Sequence, residues 1–123
     1  MFIAIDFDGT IVKHAYPIIG EDIGAIEWLK KFQDAGADLI LLTMRSREFL
    51  DDAIKYCDMK GVNFFAYNNN PTQINWTSSR KVYADIYIDD AAFGCPLVYK
   101  DGERPYVDWE VVGPKVLEII NSA

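Results

Sequence analysis

The chain has 123 residues, half of them hydrophobic, and a formal net charge of −7. That length supports one core, so residues 1–123 are expected to fold as a single domain burying roughly two-thirds of the unfolded surface. The acidic balance argues against nucleic acid as a partner, since sequence-independent affinity for it rests on neutralising phosphates. No apolar stretch approaches the length of a membrane span, and Asp6 and Asp8 interrupt the apolar start too early for a secretion signal. Cys57 and Cys95 lie far apart without C-x-x-C spacing, which predicts two free thiols in a reducing cytosol.

Strand and helix patterns alternate along the chain. Residues 2–7 form an apolar run rich in strand formers, stopped by Asp8-Gly9. Residues 10–20 carry the breakers Pro17 and Gly20 and are expected to be irregular. Residues 21–35 place Ile23, Ile26, Leu29 and Phe32 at helical spacing, with Gly36 as the stop. Residues 38–43 contain Leu-Ile-Leu-Leu, the mark of a strand buried on both faces. Residues 47–60 repeat the helical pattern through Leu50, Ala53, Ile54 and Cys57, and residues 62–67 give a third strand. A polar loop follows from Asn68 to about Ser79, in which Asn70 and Trp76 are expected to cap and pack. Residues 82–88 give a fourth strand. Residues 91–108 are ambiguous, with a short strand at 97–99 and a turn at Asp101-Gly102, and residues 109–121 close with an amphipathic helix despite Pro114. This alternation implies an α/β fold, a parallel sheet covered on both faces by helices.

In such sheets ligands gather beyond the carboxyl ends of the strands, where the strand order reverses. Asp6, Asp8, Thr43, Asp89 and Asp90 all fall at strand ends of that kind. Asp6, with an ordinary pKa of roughly 3.9, is expected to be ionised at neutral pH and able to attack phosphorus without a base. Asp8 shares its side of the turn and is placed to give a proton to a leaving oxygen and take one from water. Asp89 and Asp90 offer hard oxygen ligands to Mg²⁺. Lys81 is expected to bind phosphate and keep nearby carboxylates ionised. Thr43 precedes a helix, where its hydroxyl and the backbone N–H groups, that of Met44 among them, form an anion site. Arg45 and Arg47 flank that site as candidate substrate contacts. His14, the only histidine, lies in a loop and reads as a surface residue.

These pieces match a known set. Asp6-Phe7-Asp8-Gly9-Thr10, Thr43 after Leu-Ile-Leu-Leu, Lys81, and Ile88-Asp89-Asp90 resemble, in order, the four motifs of the haloacid dehalogenase-like hydrolases. The resemblance spans residues 1 to about 95. It implies a three-layer Rossmannoid core, Mg²⁺ dependence and an aspartyl-phosphate intermediate. In those terms Asp6 looks like the nucleophile and a metal ligand, and Asp8 like the acid–base that also binds metal through its carbonyl. Thr43, Met44 and Lys81 resemble the phosphate-binding groups. Asp89 looks like the remaining metal ligand, with Asp90 bound directly or hydrogen-bonded to one that is. The carboxylate at position 8 favours the phosphatase branches.

Two departures stand out. Each interval between the first three motifs is filled by one loop, one helix and one strand, leaving no room for the cap domain most relatives carry. A capless site is open, and relatives of that kind act on macromolecular phosphates or borrow a neighbouring subunit as cover, so a homo-oligomer is one expectation. Lys81 also stands too close to Asp89 for the usual intervening helix. The segment from Lys81 to Asp90 is similar to that of 5′(3′)-deoxyribonucleotidases, and the substrate class stays open among nucleotides, sugar phosphates and phosphorylated macromolecules. The rival readings are a receiver-like module and a catalytically inactive phosphate- or metal-binding relative. Receivers place the acidic pair first and the lone Asp on the third strand, the reverse of the order here.

Overall fold

The computed structural model describes residues 1–123. Four parallel strands, β1 (Phe2–Ile5), β2 (Asp38–Leu41), β3 (Ala66–Tyr67) and β4 (Ile86–Ile88), form one sheet in the order β3-β2-β1-β4. Three helices accompany it, α1 (Ala25–Asp34), α2 (Arg47–Met59) and α3 (Trp109–Ser122), and a hairpin of β5 (Leu97–Val98) and β6 (Tyr106–Val107) stands apart from the sheet. No helix is long and apolar enough to cross a membrane.

The sheet is built outward from β1. Phe2, Ile3, Ala4 and Ile5 pair with residues 38–41 on one side, and Ile3, Ala4 and Ile5 pair with residues 86–88 on the other. The chain steps from β1 to β2 to β3 in one direction, then returns across β1 to lay down β4. That reversal puts the switch point of the sheet between β1 and β4, where a crevice opens beyond their carboxyl ends.

The helices do not cover both faces as expected. Buried side chains of all three helices, among them Leu29, Phe32, Ala53, Cys57, Val112 and Val116, pack with Ile3, Ile5, Leu39 and Leu41 in one core. The opposite face carries a smaller cluster of Ala4, Ile40, Ala66 and Ala84, with Phe2, Leu42 and Val82 against it and no helical residue. The reason lies between β3 and β4. The segment Asn-Asn-Asn-Pro-Thr-Gln-Ile-Asn has no apolar period from which to build an amphipathic helix. It makes only a short 3₁₀ turn, Pro71–Asn75, capped by the Asn70 side chain on the Thr72 N–H. Buried Gln73 ties this segment down by donating to the Ser79 and Lys81 carbonyls and accepting the Tyr83 N–H. Trp76 is exposed and packs edge-on to Tyr83.

Several element boundaries contract for local reasons. Helix α1 starts at Ala25, not at 21, because Val12 pairs antiparallel with Asp22 and Lys13 donates its N–H to the Glu21 carbonyl. Strands β3 and β4 are shorter than their apolar runs, 62–67 and 82–88. Both runs are paired only near the rim, since the sheet is fixed by its four-residue centre. The ambiguous segment 91–108 resolves into the β5–β6 hairpin, whose Val107 N–H donates to the Gly9 carbonyl, so the hairpin buttresses the turn after β1. Both cysteines are free, and burial pushes the Cys57 thiol up to about 12.

Helix α3 packs on α1 where Gly113 meets the Trp28 indole so closely that a methyl group would overlap it. Gly113→Ala is therefore expected to destabilise the chain by about 1–3 kcal/mol, the usual cost of overpacking, despite the better helix propensity of Ala. A leftward shift of the urea midpoint would show it, and a gain in stability would contradict this packing.

Candidate functional site

Asp6 follows β1 directly, and its N–H extends the β1–β4 ladder by donating to the Ile88 carbonyl (3.0 Å). Asp89 and Asp90 follow β4. The register that pairs Ile5 with Ile88 therefore carries all three aspartates to the switch point. One carboxylate oxygen from each lies within 4.8 Å of the other two, all three groups partly exposed.

Thr10, fully buried, sits among them. Its hydroxyl lies 3.0 Å from Asp6 Oδ2 and 3.2 Å from Asp90 Oδ1, and its oxygen accepts the Asp90 N–H at 3.0 Å. Its own carbonyl accepts the Trp109 indole N–H at 2.6 Å. His14 approaches from the other side, with Nε2 2.9 Å from Asp90 Oδ2. Gly9 is the residue the turn demands twice over. Its φ is +83°, and a Cβ there would lie 2.6 Å from Asp90 Oδ2 and overlap the His14 ring. Asp89 is held by the Ala91 N–H on its Oδ1 (2.8 Å).

Crowding governs the electrostatics. Burial, then the Asp90 carboxyl, then the charge of Asp89 push the Asp6 carboxyl from the ordinary 3.8 up to about 8, against the Thr10 hydroxyl and the Phe7 N–H, which favour ionisation. No ammonium or guanidinium offsets that rise. The expectation that Asp6 is ionised at neutral pH is thus reversed for the cation-free chain. Lys81, expected to supply that charge, holds its Nζ 5.6 Å over the Tyr87 ring and forms no ion pair with the aspartates.

Arg45, a candidate substrate contact from the sequence, is turned inward, with its N–H groups directed at protein acceptors. Only 3% exposed, it grips Asp8 with Nε to Oδ2 and Nη2 to Oδ1, both at 2.8 Å. The remaining donors reach the carbonyls of Pro17, Ile18 and Phe49. Phe7 and Tyr16 lie against the guanidinium, 4.9 and 5.2 Å from ring centroid to Cζ. Asp8 therefore has a fixed orientation, with lone pairs left over, because a carboxylate offers about four and the guanidinium takes two. Its carbonyl accepts no hydrogen bond.

Thr43 lies at the same rim, past β2. Its N–H donates to Asn68 Oδ1 (2.7 Å) and its hydroxyl accepts the Arg45 N–H (3.1 Å). The N–H groups of Asp8 and Met44 donate to no protein group and remain free for an anion. Arg47 is exposed and opens α2 with φ +52°, a left-handed conformation a non-glycine side chain rarely adopts. Sequence reasoning missed the roles of Thr10, His14 and Asn68. The Asp-Gly-Thr run pointed to Thr10, but nothing local shows that a loop histidine or an asparagine past β3 returns to the rim.

The fold and rim define an α/β protein with a four-stranded parallel sheet and three helices, a Rossmann-like architecture with its acidic cluster at the switch point. Among solved structures, the chain is 41% identical to a conserved protein from Bacteroides thetaiotaomicron, with a TM-score of 0.77 over 97% of this chain and 91% of that one. It belongs to the same family as that protein. No family model matches the chain, and no curated protein does.

Asp6 makes stability depend on pH with a definite sign. The unfolded carboxyl ionises near 3.8 and the folded one near 8, so between those values the unfolded state binds fewer protons. Stability of the cation-free protein falls as pH rises through that window, by at most about 1.4 kcal/mol per pH unit for one proton. Urea unfolding in chelator at pH 5 and pH 8.5 is expected to show the fall, and Asp6→Asn to flatten it. Equal slopes for wild type and variant would refute this assignment.

Proposed function

We propose that the chain is a capless haloacid dehalogenase-like phosphatase, hydrolysing phosphomonoesters in the presence of Mg²⁺ through an aspartyl-phosphate on Asp6. One observation carries this reading: Asp6, Asp89 and Asp90, from the two strands that flank the switch point, bring oxygens within 4.8 Å of one another with no cationic side chain among them. Hard oxygen donors in that number suit a hard divalent cation. Asp6, Asp89, Asp90 and the uncommitted Asp8 carbonyl are the groups that would hold it. Bound there, the cation supplies the positive charge that lets a phosphate dianion approach the carboxylates.

The residues of the chain divide the chemistry. The free N–H groups of Asp8 and Met44, with the Thr43 hydroxyl, receive the phosphate oxygens. An Asp6 oxygen attacks phosphorus as the bond to the leaving oxygen breaks, and Asp8, entering the cycle with a proton on a lone pair that Arg45 does not occupy, gives that proton to the leaving oxygen. Water then attacks the phosphorus of the acyl phosphate, Asp8 takes its proton, and phosphate leaves with Asp6 restored. Arg45 keeps Asp8 aimed throughout. Lys81 joins the phosphate only if its side chain leaves the Tyr87 ring. The open rim accommodates a nucleotide, a sugar phosphate or a phosphorylated macromolecule.

Release of phosphate from a generic aryl phosphate with Mg²⁺ tests the reading. Asp6→Asn is expected to lower turnover at least about 10³-fold, as loss of a nucleophile does. Asp8→Asn is expected to cost about 10²–10⁴-fold while the phosphoenzyme accumulates. Turnover equal to that of Asp6→Asn would favour the inactive relative. The choice of Asn at position 8 matters. Asp8→Ala strands a buried guanidinium and is expected to lose about 3–5 kcal/mol of stability, measurable by urea unfolding, whereas Asn keeps an acceptor for Arg45.

A further inference from the structure

His14 lies outside the set of carboxylates that can share a cation, yet its side chain is only 15% exposed and its Nε2 is 2.9 Å from Asp90 Oδ2. The loop holds it there from both sides. On one, Lys13 donates its N–H to Glu21 and its ammonium reaches Glu103 at 2.7 Å. On the other, buried Arg45 takes the carbonyls of Pro17 and Ile18. Asp90 is thus gripped at both oxygens by one short segment, Oδ1 by the Thr10 hydroxyl and Oδ2 by His14.

We propose that His14 is a positioning residue of the cation site, which holds the Asp90 carboxylate turned toward Asp6 and Asp89. The proposal rests on the phosphatase reading above. With Asp90 ionised, Nε2 carries the proton and donates it. Asp89 and Asp90 repel one another within 4.8 Å, and Asp6 adds its charge when it is ionised to hold the cation; released from His14, the Asp90 carboxylate keeps a single hydroxyl contact about which it is free to turn toward solvent. A donor behind a ligating carboxylate fixes its orientation and so raises metal affinity, by about 10–100-fold in comparable sites. Among the donors to the cluster, His14 alone is neither backbone nor fully buried, so it can be changed without disturbing the turn that carries Asp6.

Calorimetric titration of the full chain with Mg²⁺, without substrate, is the experiment. His14→Ala and His14→Phe are expected to weaken Mg²⁺ binding about 10–100-fold. His14→Gln, which keeps an N–H donor at similar reach, is expected to restore it to within about threefold. Urea unfolding in chelator should be nearly the same for all four proteins, which separates positioning of Asp90 from general support of the fold. Affinity for His14→Ala within about twofold of wild type, or no rescue by Gln, overturns the proposal while the phosphatase reading stands. Failure of wild type itself to bind Mg²⁺ overturns both.

Discussion

Thr10 stands where the two halves of the rim are joined. Its side chain touches Asp6, four residues earlier, and Asp90, eighty residues later. Its oxygen accepts the Asp90 N–H while its carbonyl takes the Trp109 indole. The three hydroxyl contacts and the one carbonyl contact of this buried residue are kept only if β1, β4 and the start of α3 hold their present relation, because leaving any one of these groups unpaired costs about 1–3 kcal/mol. The same contacts oppose the natural tendency of the aspartates to separate. The crevice at the switch point follows from the strand order, and its closeness follows from Thr10.

The one-sided placement of the helices has a related consequence. With α1, α2 and α3 packed into one core, the side chains that support the rim, Ile5, Leu41 and Ile88 among them, lie on the helical side of β1, β2 and β4. The other face needs only small residues, Ala4, Ala66 and Ala84, under an irregular strap. The loop around residues 13–20 is pinned beside the site by Arg45, Lys13 and His14.

How much of this was legible in the sequence depends on whether the signal was local. The buried runs around Ile3 and Ile40 and the Asp-x-Asp-Gly-Thr turn announced strands and a rim because period and turn chemistry act within a few residues. Asp89 and Asp90 converge with Asp6 as expected, since register along a parallel pair is set by the apolar strands themselves. The missing helical layer was also written locally, in the polar run after Tyr67, but alternation in the remainder of the chain outweighed it. Arg45 and His14 were misread for a different reason. A charged side chain beside a helix start looks solvent-facing until a partner 37 residues away buries it, and neither the loop path nor the pairing of Arg45 with Asp8 leaves a mark in spacing.

Positive charge is shared unevenly across the rim. Arg45, the one buried charged residue, is committed to Asp8 by two 2.8 Å hydrogen bonds and to three carbonyls. Lys81 rests over an aromatic ring and leaves the pKa of Asp6 unaided. On the Asp8 side, then, charge is balanced and geometry fixed; on the Asp6 side the carboxyl keeps its proton up to about 8. A proton and a divalent cation compete for the same oxygens, and the cation is favoured by three carboxylates at once where the proton is held by one. A carboxyl poised this way is a poor nucleophile when the site holds only protons and a ready one when the proton has been displaced. Under the function proposed above, a bound metal would both assist chemistry at Asp6 and decide whether Asp6 can take part.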